Sequence, residues 1–142
     1  MAGVNMRLMN KTALDYSQVA ADKEQMLIVN TAINVTSYKE GTLLVRVHGA
    51  PTIENDAAIN VVLVRTAPTE EEPGLLFASV EPTLATVTIN QDTVMLETTA
   101  LLVAPLPANL GGYLALAIKG VQDPSTAGEI RATISVDLNL KE

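Results

Sequence analysis

His48 is the single imidazole of the chain, so any Ser-His-Asp chemistry would have to run through it, with Ser17, Ser37, Ser79, Ser125 or Ser135 as nucleophile. It sits beside Gly49 in an alternating stretch with no G-x-S-x-G elbow nearby. It therefore reads as a partly exposed strand residue, with a pH-sensing contact at a subunit boundary as the other use. Glu70, Glu71 and Glu72 could attract a hard cation, but three consecutive carboxylates do not converge on one ion, and they lack the spacing of a calcium loop. They read as a solvated loop tip. Glu54 with Asp56, or Glu81 with Asp92 and Glu97, could pair as acid and base, yet nothing in their spacing favours it, and sugar-cleaving sites also present aromatic platforms that are missing here. Gly111-Gly112 reads as a turn rather than a phosphate cradle. The chain has no cysteine, which removes disulfides, thiolate metal sites and cysteine nucleophiles. The expectation is a protein without catalytic residues, metal or cofactor, and not an enzyme.

Three arginines, Arg46, Arg65 and Arg131, each interrupt an otherwise apolar run. An arginine so placed either reaches solvent along its stem or pairs with a carboxylate across a sheet or subunit seam. Arg131 fits the first case; Arg65, in a run that looks dry on both faces, fits either.

The elements that carry these residues are strands. From Glu129 to Leu140, Ile130, Ala132, Ile134, Val136, Leu138 and Leu140 alternate with Arg131, Thr133, Ser135, Asp137 and Asn139, the pattern of a strand with one dry and one wet face. Such a ribbon spans on the order of 40 Å and needs a partner sheet. Similar runs cover Gln25 to Thr36, Thr42 to Gly49, Ala57 to Thr66, Leu75 to Val80, Leu84 to Asn90, Thr93 to Glu97, Leu101 to Ala104 and Tyr113 to Lys119. Turn signals part them: Tyr38 to Gly41, Pro51, the Ala67 to Gly74 loop, Pro82, Asn90-Gln91-Asp92, Pro105 with Pro107, and Gln122 to Gly128. Two hairpins are expected, one joining Gln25–Thr36 to Thr42–Gly49, the other closing over Asn90-Gln91-Asp92 between Val87/Ile89 and Val94/Leu96. Residues 1–23 lack a clear period and read as a loose N-terminal arm or a short helix, or as an arm laid over a neighbouring subunit. Residues 24–142 form the domain.

With 142 residues the chain is long enough for one real core. Hydrophobic residues are 48% but aromatics only 3%, so the core is aliphatic and β-branched, which favours strands. The fold class expected is all-β: an antiparallel β-sandwich or jelly roll of about eight strands. A net charge of −7, with basic residues spread singly, argues against nucleic acid or an anionic membrane as partner. No secretory signal or run of 18 apolar residues is present.

The run from Ala57 to Thr66 is apolar on both faces, Ile59, Val61 and Leu63 on one and Asn60, Val62 and Val64 on the other, which places it inside a sandwich or against another subunit. This points to a self-associating structural protein, with Met6, Leu8, Met9, Asn60, Val62, Val64 and Arg65 as contact residues. An arm from Met1 to Lys23 followed by a compact sandwich from Gln25 to Leu140, rich in Val, Thr and Ala, resembles the small β-rich decoration proteins of tailed bacteriophage heads. That resemblance implies a homotrimer seated on a major capsid protein in the virion, reinforcing the shell. The alternative is a recognition module of fibre, adhesin or carbohydrate-binding type, with Ala50 to Asp56, Ala67 to Gly74 and Gln122 to Gly128 as its rim, although a sugar site usually offers tryptophan and there is none.

Overall fold

The computed structural model describes residues 3–66, 83–108, 110 and 112–142, and nine strands run through them. One sheet holds, in order, β1 (Gly3–Asp15), β9 (Ile130–Lys141), β3 (Glu40–His48) and β7 (Thr99–Pro105), with the two-residue β4 (Thr52–Ile53) also on β9. The other holds β2 (Glu24–Asn34), β8 (Tyr113–Val121), β5 (Ala58–Thr66) and β6 (Thr83–Ile89). All pairings are antiparallel.

With β4 set aside, the pairs nest: β1 with β9, β2 with β8, β3 with β7, β5 with β6. This is one long hairpin of strand pairs, rolled until β3 also meets β9 and β5 also meets β8. It is the jelly roll, one of the two arrangements expected from the strand count.

Period-two alternation fills the space between the sheets. Leu43, Val45 and Val47 from β3 and Ile130, Ile134, Val136, Leu138 and Leu140 from β9 face Ile59, Val61 and Leu63 from β5 and Leu114, Leu116 and Ile118 from β8, all fully buried. Each contributes roughly 1.5–3 kcal/mol relative to exposure. With almost no aromatic volume available, Tyr16, the one buried ring among the described residues, lies against Gly120 of β8. A Cβ at Gly120 would stand 2.1 Å from Tyr16 Cγ, so only glycine admits the ring.

Three expectations change. Gly3 to Asp15 is neither loose arm nor helix but a strand paired along β9 from Gly3↔Lys141 to Asp15↔Arg131. Its register shifts between Arg7 and Met9 and again between Met9 and Thr12, and each shift resets the inside-outside phase, which breaks up the period in the sequence. The β2–β3 hairpin is absent, because β2 and β3 lie in opposite sheets. The hairpin over Asn90 to Asp92 is absent as well: after β6 the chain crosses to the first sheet, and Leu96 bridges Thr99 instead. A crossing loop and a hairpin use the same turn residues, so local chemistry does not separate them. The runs Leu75 to Val80 and Ala67 to Gly74 lie outside the described residues.

Candidate interaction face

The two sheets differ on their outer sides. On the second, Val62, Val64, Ala115 and Ala117 form a separate apolar cluster with Met26 and Ile28, and all four are buried within the chain. Both faces of β5 are thus covered, as its sequence demands, but by the chain itself. Of the residues expected at a contact, Val62 and Val64 have 8% and 4% of their surface left. Asn60 accepts a hydrogen bond from Thr88 Oγ1 at 2.8 Å. Arg65 is exposed near the strand end. Met6, Leu8 and Met9 are half-buried on β1 against the main core. These seven lie on opposite sheets and form no single surface.

The outer side of the first sheet is open. Cross-strand register sets Arg7, Asp137, Leu44 and Val103 in one row, and Ser135, Arg46 and Leu101 in the next. His48 and Thr99 pair directly in the row above, and Leu96 bridges the far side of Thr99. Arg7 pairs with Asp137. His48 Nε2 lies 3.0 Å from Ser135 Oγ. Partial burial first, then the nearby charges of Lys11, Arg46 and Arg7, push the imidazole below its ordinary titration range. The β1–β3 side of the face is therefore cationic. Among the described residues Lys11 and Arg46 have no ion pair and no hydrogen-bonded side-chain partner.

The β7 side is apolar. Leu101 and Val103 are 50% and 57% exposed, and Leu96 and Val94, beyond the strand, are 78% and 76% exposed. Half-buried Leu44 joins the strip from β3. The segment from Thr98 to Pro105 carries no charge, and β7 ends the sheet, so its outer edge has no strand partner among the described residues. Leu96 does not hang loose. Its N–H donates to Thr99 O at 2.9 Å, Thr99 N–H returns a bond to Leu96 O at 3.2 Å, and Gly49 N–H donates to Thr98 O at 2.7 Å. Glu97 takes φ 59° to close this tight turn, a conformation non-glycine residues rarely adopt. Val94, Leu96 and Leu101 also line a shallow hollow of about 530 Å³ with Thr88, Asn90 and Asp92.

None of these apolar residues is marked by a motif. The available signal is that Leu101, Leu102 and Val103 are consecutive: in a strand that is wet on one face, alternate positions should be polar, and these are not.

The loop rim has a different character. Gln122 donates to Val19 O and Gly128 O and accepts from the backbone N–H groups of Asp123 and Gly128. Asp123 accepts from the backbone N–H groups of Asp56, Ser125 and Thr126, which hold its carboxyl below the usual range. Glu54 Oε1 accepts from Glu129 N–H at 2.6 Å. Ala50 to Asp56 and Gln122 to Gly128 do meet, but Glu54, Gln122 and Asp123 are bonded to backbone groups within, between and beside the two loops. Arg131 is exposed, as its pattern suggests, and pairs with Glu129. No group of three His, Asp or Glu among the described residues could hold a metal.

No family model and no curated protein matches the sequence. The likeness is one of fold. Over 98% of its length the chain matches a chain in the structure of infectious bursal disease virus, Gx strain, with a TM-score of 0.54 at 8% identity, and it spans 31% of that chain. Chains from the empty head of turnip yellow mosaic virus (TM-score 0.39, 13% identity, 99% of this chain and 81% of that one) and from tomato aspermy virus (0.32, 20%, 94% and 78%) also match, at scores too low to carry weight.

Proposed function

We propose that this chain is a viral structural protein, a jelly-roll subunit of the virion that acts by associating with its own kind and by seating on a shell in the manner of a capsid decoration protein. The observation that carries the reading is the uncharged strip of Leu44, Leu96, Leu101 and Val103, four large apolar side chains together on a chain of net charge −7. An apolar strip rimmed by polar groups marks a surface meant to be covered. The fold shared with a chain from a virus particle supports the setting. The reading needs no turnover. His48 has one hydroxyl partner, Ser135, and that residue is 2% exposed, out of reach of a substrate.

Sedimentation velocity from low to high micromolar concentration tests this role. The expected result is association that tightens with salt, since burial of apolar area dominates the contact. A monomer throughout would remove the reading. The resemblance implies three copies; the same measurement counts them. Binding to shells is checked by co-sedimentation with virus particles of the source.

A further inference from the structure

The geometry points to an isologous contact between two copies through the β7 side of the first sheet's outer face, with Leu96 and Leu101 as anchors and Arg46 opposite Glu97 as the charge pair. This rests on the self-association in the reading above, departs from the three copies that the resemblance implies, and names the surface.

The argument runs from placement. Across the face, Arg46 stands one strand to the β3 side of Leu101, Leu96 stands beyond Thr99 on the other side, and exposed Glu97 lies in the turn that joins Leu96 to Thr99. Neighbouring strands are ~5 Å apart and the Thr99 row lies two residues, ~7 Å, along from the Leu101 row, so cation, apolar strip and acid follow one another over somewhat more than ~12 Å. Asp92 adds a second acid near the apolar end, where it lines the same hollow as Leu96 and Leu101. Such an order is complementary to itself. A two-fold axis lying in the interface between Leu101 and Leu96 sets Leu101 of one copy on Leu96 of the other. The same operation sets Arg46 of each copy, without an ion pair among the described residues, against Glu97 of its mate. Like charges are kept apart, which matters for a chain this acidic.

The anchor is also held in advance. The three backbone bonds around Leu96 and Thr98, with the strained φ at Glu97, present an exposed leucine in one position. Little ordering entropy then remains to be lost on contact. A flexible partner peptide along the β7 edge would need no such cation-acid pairing, and the charge order of the face favours a second copy over it.

A charge swap read by sedimentation of the full chain tests the contact. Arg46→Glu and Glu97→Arg, each alone, should weaken association at least tenfold by setting like charges together. The double variant should recover most of it. Leu101→Asp should abolish association while leaving the melting temperature of the dilute protein unchanged, because Leu101 is half in solvent. If the chain associates and Leu101→Asp and both single charge variants associate as the parent does, the contact is wrong and assembly stands on another surface. Failure of the double swap to recover what both singles lose also overturns it, as does a closed odd-numbered species. A parent chain that stays monomeric removes contact and assembly reading together.

Discussion

At the scale of single residues, the sharpest constraint is steric. Gly120 faces Tyr16 so closely that a methyl would overlap ring carbons near the root of the side chain, which cannot swing away as a chain end can. Gly120→Ala should therefore lower stability by about 3 kcal/mol, read from chemical denaturation. An unchanged midpoint would mean that the ring does not lie on this strand. His48 predicts a pH dependence. Its titration is lowered from the ordinary 6.5 by burial and by Lys11, Arg46 and Arg7. Of the groups around it, Ser135 does not titrate, Arg131 is matched by Glu129, and Asp137 is already engaged by Arg7. Below 6.5 the unfolded chain binds the proton more readily than the folded one, so stability is full above that value and falls as pH drops through it. Asp15 and Asp123, lowered by hydrogen bonds, lose their contribution only in the carboxylate range at about pH 4 and below, so the two windows are separate. Denaturation at pH 7.5 and pH 5 should show a drop that His48→Gln flattens; an equal drop in both proteins would assign it elsewhere.

Among the elements, β1 behaves least as its sequence suggests. An arm could be removed without harm to the domain. A strand hydrogen-bonded along β9, with Leu14 buried and Met6 packed on the core, cannot. Deleting residues 1–15 should bare one edge of β9 and the side of the core, giving a chain that aggregates or melts well below the parent. Thermal unfolding by circular dichroism decides this, and a truncated chain with the parent's transition would restore the arm. The elements also show where the sequence was readable. β2, β3, β5, β6, β7, β8 and β9 emerged from alternation within a residue or two of their observed ends. β1 escaped because its bulges scramble the period, and β4 because two residues carry no period at all. The apolar strip escaped because Leu101 and Val103 look like core residues until the sheet shows which way they face.

For the whole molecule, the defining fact is that the first strand pairs with the last and the second with the last but one. Most of the chain must be gathered before the core closes, which puts refolding of the monomer in the range of milliseconds to seconds. Stopped-flow fluorescence of the tyrosines should show it, and full recovery within microseconds would contradict the nested topology. What the sequence determined alone is local: aliphatic alternation makes strands, the scarcity of aromatic side chains makes their core aliphatic, and the want of cysteine leaves it without disulfides. What only the tertiary structure decided is which strands share a sheet, that the second sheet's outer side is covered by the chain itself, and that the first sheet's outer side is left with its apolar strip in water. Alternation assigns each residue to one side of a ribbon. Whether that side ends up dry depends on contacts between residues distant in sequence, and those follow from the rolling of the sheet rather than from any single strand.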